Sequence, residues 1–205
     1  MPALAHDCAR ARNDSALALQ DILIPMQSAS RNQRAGVAGP RAQDLPSVEI
    51  IVESPLWNAA HTAKAVLRKA IRQACAALSL QGGEVCVLLA DDSVVRRLNH
   101  KWRGQDAPTN VLSFPAYIGC TSRGTPRLLG DIVIAYETTR REARMQRKSF
   151  VQHLAHLAVH GFLHLVGFDH ETDRDAHAME RLEVLILSRL GVPNPYIACK
   201  GATEV

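Results

Sequence analysis

The residues best suited to chemistry crowd into one stretch, His160-Gly-Phe-Leu-His164-Leu-Val-Gly167-Phe-Asp-His170. Three imidazoles at the spacing H-x3-H-x5-H suit a metal ion. Helical residues four apart lie on one face, so His160 and His164 can point at a single cation. Gly167 stands where such a helix would stop, because glycine takes the left-handed conformation of a C-terminal cap without penalty. The resulting turn can bring His170 back toward the first two. Three neutral nitrogens with a fourth position open form the ligand set of a catalytic zinc, whereas structural sites usually close with four protein ligands. Six of the nine histidines fall between His153 and His177, which argues against chance scatter. His156 and His160 are also four apart. The His160/His164 pair is preferred because the glycine turn follows it directly. His156 then stands behind the ligands or contacts a phosphate, while His153 is expected near the surface and His177 in solvent.

A second informative stretch runs from Leu98 to Pro115 and includes Trp102-Arg103-Gly104 and Pro108-Thr109-Asn110-Val111-Leu112-Ser113. It is dense in groups that bind anions. The Arg103 guanidinium is a permanently charged fork that matches phosphate oxygens in pairs, and the Asn110 amide and Ser113 hydroxyl are further candidate substrate contacts. Taken alone, Arg103 reads more simply as a surface arginine paired with Asp106.

Hydrophobic periodicity supplies the elements that must position these groups. Val48–Val52 reads as a strand, Asn58–Leu78 as a helix ended by Gly82-Gly83, and Glu84–Ala90 as a buried strand. Asp91 to Ser93 cap a helix running to about Trp102. Val111–Phe114 and Leu128–Ala135 are strands separated by a polar Gly/Pro/Ser loop. Asp131 interrupts the second of these and, if buried, needs a partner. Thr138–Lys148 presents Arg140, Arg144 and either Arg147 or Lys148 on one face, a solvated or RNA-facing edge. Phe150–Val166 is the metal-bearing helix, flanked by Leu154, Leu157, Ala158, Leu163 and Leu165. Thr172–Leu190 is an acidic amphipathic helix with Met179, Leu182, Leu185 and Ile186 inward, stopped by Gly191 and Pro193.

Composition narrows the class. In 205 residues the hydrophobic content is 47% and aromatics are 4%, so aliphatic residues and alanine must fill the core. Net charge is +4, but residues 61–150 hold fifteen Lys/Arg against seven Asp/Glu, which makes the middle of the chain the candidate polyanion surface. Five cysteines without a C-x-x-C pair read as buried thiols in a reducing compartment. No apolar run approaches membrane-spanning length, and charged residues interrupt the N-terminus where a signal peptide would be apolar. A cytoplasmic protein with no membrane partner is expected. Residues 1–45, rich in Arg, Gly, Ala and Gln toward their end, read as a disordered extension within which Met26 is a second candidate start. Residues 46–198 read as one domain and 199–205 as a tail.

Together the two stretches resemble the bacterial YbeY family of metal-dependent endoribonucleases, which mature ribosomal RNA. The matching pieces are R-x-L-N-x-x-W-R-G-x-D-x-P-T-N-V-L-S-F-P (Arg96 to Pro115), L-G-D-I-x-I (Leu129 to Ile134) and H-G-x-L-H-L-x-G-x-D-H (His160 to His170). The resemblance spans about Val48 to Pro195, and Phe168 stands where many relatives carry tyrosine. It implies an α/β (α+β) single domain in which a small mixed sheet packs around a central helix with a zincin-like metal motif. It further implies one zinc ion on His160, His164 and His170, with Arg103 as the functional arginine near it. The implied activity is cleavage of single-stranded RNA in rRNA maturation, including the 3′ end of small-subunit rRNA, and in ribosome quality control. The implied partners are ribosomal small-subunit components and a ribosome-assembly GTPase.

Two other classes compete. Metalloproteases share a helix-borne H-x3-H with a later glycine and histidine, but they place glutamate directly after the first histidine as general base. This chain has Gly161 there. A non-catalytic assembly factor whose zinc only braces the fold is the other rival, and an open coordination position argues against it.

Overall fold

A computed structural model describes residues 45–116 and 127–197. The expected extension (apart from Leu45), the 199–205 tail, most of the polar loop, and Cys8, Cys120 and Cys199 lie outside the described residues.

Four short strands, β1 (Ser47–Val52), β2 (Glu84–Ala90), β3 (Val111–Pro115) and β4 (Leu128–Ala135), form a mixed sheet in the order β1-β2-β4-β3. β1, β2 and β4 run parallel, and β3 pairs antiparallel with β4 at the edge. The central strands carry the β-branched and aliphatic residues that a sheet covered on both faces requires. Ile132, Val133, Ile134 and Ala135 are all buried.

Alternation along β3 and β4 assigns the two faces. Leu112 and Val133 pack with Ala90, Val95 and Ala135 under α2 (Asp92–Arg103). Val111, Ser113 and Ile132 face α4 (Phe150–Leu165) on the other side, where each comes within 3.3 Å of the point a Cβ on Gly161 would occupy. α4 also packs against α1 (Ala63–Ala77), α3 (Tyr136–Met145) and α5 (Asp173–Arg189). It is therefore enclosed on most sides, and its five expected flanking residues, Leu154, Leu157, Ala158, Leu163 and Leu165, are buried.

Some element ends differ from the sequence reading. Pro55 heads a separate 3-10 turn, Pro55–Ala59, capped by Ser54, so α1 begins at Ala63 rather than Asn58. Trp57 fixes that turn by donating its Nε1–H to the Ala90 carbonyl at 2.9 Å. α3 stops at Met145, and Arg147 adopts a positive φ of 52°, so the helical spacing does not extend to Arg147 and Lys148. On α5 the buried stripe is Met179, Leu182, Glu183, Ile186 and Leu187, with Leu185 only partly covered. Asp131 is exposed, so it imposes no burial penalty and needs no partner. Cys75 is buried but Cys86 is only half-buried. Burial raises both thiols above their ordinary range. Among the described residues no helix is long and apolar enough to cross a membrane.

Candidate metal centre

α4 is started firmly. The Ser149 side chain accepts from the Gln152 N–H while the Gln152 side chain accepts from the Ser149 N–H, a reciprocal capping box. The 16 residues of this helix, about four and a half turns, then carry histidines at 153, 156, 160 and 164. The helix ends where expected. Gly167 takes φ 95°, and the Phe168 N–H returns to the Leu163 carbonyl at 3.0 Å. That reversal brings His170 against the last two histidines. Its ring stacks on His160 at 5.6 Å between centroids and lies 5.0 Å from His164.

One ring nitrogen from each of His160, His164 and His170 lies within 4.8 Å of the others. The Nε2 atoms of His160 and His164 are 3.1 Å apart. Two nitrogens bound to one tetrahedral zinc at about 2.0–2.1 Å would be about 3.3 Å apart, so the donor set fits the ion. Among the described residues no fourth His, Cys, Asp or Glu joins the cluster. Burial, followed by the charges of His160 and His170, pulls the His164 pKa down to about 4. That imidazole is therefore neutral at physiological pH, the form a metal requires.

The sequence reading missed the group behind this cluster. Glu183 on α5 has 0% exposure. Its Oε1 accepts from His160 Nδ1 at 2.8 Å and its Oε2 from His156 Nε2 at 3.1 Å. The Tyr196 hydroxyl donates to the same Oε2. Burial alone would raise this carboxyl, but the bonds from His156, His160 and Tyr196 outweigh it and bring the pKa down to about 2. Burial and the adjacent Glu183 push Tyr196 the other way, well above the ordinary phenol range. A carboxylate on Nδ1 fixes the tautomer that leaves Nε2 free for a metal, the usual arrangement behind a ligating histidine. A signal was present in the sequence: residue 183 lies four after Met179 and three before Ile186, on the apolar stripe of α5.

Other candidate residues are placed as follows. His156 has Nε2 on Glu183, while its Nδ1 is buried with no partner, so neither nitrogen is presented to a phosphate. It stands behind the candidate ligands, on the carboxylate that His160 also meets. His153 is 2% exposed rather than near the surface, because α3 packs over it and Glu142 Oε2 meets its Nε2 at 2.9 Å. Burial, which raises the Glu142 carboxyl, is outweighed by the bonds from His153 and Asn110, and its pKa is lowered. Asn110 spends its amide on that carboxylate, at 2.8 Å, and its carbonyl oxygen on the Val111 N–H at 2.6 Å. Ser113 is half-buried on the α4 side of β3, beside Gly161. His177 is solvated as expected, with 71% of its side chain exposed.

Arg103 ends α2, the helix on the opposite face of the sheet from α4, and Gly104 closes it in the left-handed conformation at φ 69°. Its expected partner is taken. Asp106 is held by Arg96 through two bonds of 2.6 Å, and Asn99 Nδ2 pins the same loop through the Ala107 carbonyl at 2.8 Å. Arg103 is exposed and has no ion pair among the described residues, which leaves its guanidinium uncommitted, while the neighbouring Trp102 ring meets Phe114 of β3 at 6.0 Å between centroids.

The chain is also similar to known proteins. The family model described as Endoribonuclease YbeY matches residues 53–191. An endoribonuclease YbeY from Rhodopseudomonas palustris strain BisA53 is 54% identical over 155 residues, covering 74% of this chain and 90% of its own. Relatives of the same name are 53% identical in Nitrobacter winogradskyi, covering 74% of this chain and 82% of their own length, and 48% identical in Nitrobacter hamburgensis, covering 81% and 93%.

Proposed function

The chain belongs to the endoribonuclease YbeY family, and we propose that it cleaves single-stranded RNA at a zinc ion held by His160, His164 and His170, in the maturation and quality control of ribosomal RNA. The observation that carries this reading is the open trio of ring nitrogens within 4.8 Å, backed by a buried carboxylate.

A bound zinc supplies Lewis acidity toward a phosphoryl oxygen. The chain's own groups do the rest. Neutral His164 and the Glu183-fixed Nε2 of His160 present lone pairs without a competing proton. Arg103 provides fixed positive charge for a second phosphate oxygen as charge develops in the transition state. Ser113 lies beside the metal helix and supplies a hydroxyl to the substrate. Asn110 and His156 act on substrate only indirectly, by holding Glu142 and Glu183 in place.

The peptidase alternative loses its general base at Gly161. That position faces β3 and β4, where even a Cβ would meet Ile132 Cγ2 and Ser113 Oγ at 3.1 Å. Ribosomal small-subunit components and a ribosome-assembly GTPase are the proposed partners, and binding of metal-loaded protein to purified small subunits tests the first.

The deciding experiment incubates zinc-loaded protein with single-stranded RNA and with casein, using His160→Ala to expose contaminating nuclease. Cleavage of RNA that disappears in the variant is expected. Cleavage of casein alone would replace this reading with the peptidase.

A further inference from the structure

The metal centre occupies the C-terminal end of α4. At the other end lies a cavity of about 570 Å³, walled by α3, the start of α4 and the turn before α1. Val151 on its rim and His164 in the metal cluster are separated by about 20 Å along the helix axis, taking 1.5 Å per residue. The two sites are therefore distinct, and a few nucleotides of extended strand could span them.

The lining has a definite chemical character. Arg140 and Arg144, one turn apart on α3, are both exposed there, and neither has an ion pair among the described residues. Lys148 adds positive charge from the same wall while its amine donates to Gln146 Oε1 and to the Pro195 carbonyl, both at 2.7 Å. Among the described residues no acidic side chain lines the cavity. Between the cations the wall is largely apolar: Val151 is 42% exposed at the rim, Phe150 is half-buried, and the buried Tyr136 ring backs Phe150 at 5.7 Å between centroids. Two like charges four residues apart on a helix repel one another. They are relieved by an anion that both can touch. Guanidinium forks flanking an apolar surface match a phosphodiester carrying a base.

We propose that this cavity is a second RNA-binding subsite, in which Arg140 and Arg144 hold backbone phosphates of single-stranded RNA at a distance from the bond cut at the metal centre. The inference rests on the nuclease reading above and adds a length requirement to it. A strand long enough to reach both sites gains contacts that a trinucleotide lying in the metal centre does not.

The test measures the affinity of zinc-loaded protein for 2′-O-methyl RNA by fluorescence anisotropy, with a trinucleotide and a strand several times longer, across a salt series. Each lost single-strand phosphate contact lowers the slope of log affinity against log salt by about 0.7, so Arg140→Ala/Arg144→Ala should lower it by about 1.4. At physiological salt that corresponds to roughly tenfold weaker binding of the long strand. Trinucleotide affinity, zinc content and melting temperature should stay unchanged, and Arg140→Lys/Arg144→Lys should keep the slope. An unchanged slope, or equal losses on both lengths, would overturn the subsite. Unchanged RNA binding with loss of poly-glutamate binding would also overturn it and assign the cavity to an acidic peptide. If no RNA is cleaved but the length-dependent loss persists, the subsite stands and the nuclease reading fails.

Discussion

Glu183 Oε1 lies 2.8 Å from Nδ1 of His160, and this one contact joins α5 to the metal helix at the atom that decides which imidazole nitrogen is free. The carboxylate is wholly buried and is shared with His156 and Tyr196, so it cannot turn away to solvent. The candidate metal centre is thus built from three layers of chain: a helix, the bend after it, and a second helix that sets the ring orientation.

Weakening that contact should weaken metal binding. Glu183→Gln leaves a neutral amide against two rings, and zinc affinity is expected to fall about 10–100-fold, the usual cost of losing the group behind a ligating histidine. Competition against a chromophoric chelator measures it. Unchanged affinity would reduce Glu183 to a packing role.

The same residue predicts an acid dependence in the metal-free protein. Its folded pKa, about 2, lies below the ordinary 4.5, so the folded state binds fewer protons than the unfolded one. The stabilisation is fully present above pH about 4.5 and is lost as pH falls through about 2. The group contributes on the order of 3 kcal/mol by this route. Urea titrations from pH 5 downward should show a steeper loss in the wild type than in Glu183→Gln.

Arg103→Ala should separate chemistry from metal loading. Removing one charge that stabilises the transition state is expected to lower kcat about a hundred- to a thousand-fold. Zinc content and melting temperature should not move, because Arg103 is exposed at a helix end without an ion pair among the described residues. Retained kcat would remove it from the reaction.

Gly130→Ala tests how the edge strand is held beside the metal helix. Gly130 has φ 134°, and a Cβ there would sit 2.2 Å from the Phe114 carbonyl oxygen and 3.0 Å from Leu165 Cδ2. The Leu165 side chain can shift, but the Phe114 carbonyl cannot yield without disturbing the β3–β4 pairing at Pro115 and Gly130. A loss of about 2–4 kcal/mol is expected in chemical denaturation, within the range for strained backbone combined with overpacking.

The periodic parts of this fold were legible in the sequence. Glu84–Ala90 and Leu128–Ala135 have the strand ends that were read from their apolar runs, and Gly167 makes the turn its position suggested. What escaped were relationships between distant elements. Nothing within Phe150–Leu165 reveals that Glu142 covers His153, because that depends on how α3 lies across α4. The Arg103–Asp106 pairing failed for a similar reason: both are near in sequence, but the loop folds back along α2 and gives the carboxylate to Arg96. Gly161 was informative as a missing glutamate, while its structural cause, close approach of α4 to Val111, Ser113 and Ile132, required the packed sheet. Glu183 could have been suspected as a carboxylate on an apolar stripe, but its partners His156, His160 and Tyr196 lie on other segments.

The central claim is that three histidines hold one ion and leave room for substrate. Anomalous-difference diffraction at the zinc edge on metal-loaded crystals tests it most directly. The account predicts a single peak about 2.0–2.1 Å from nitrogens of His160, His164 and His170, with solvent in the remaining position. A peak elsewhere, His170 turned away, or a fourth protein side chain filling that position would contradict it.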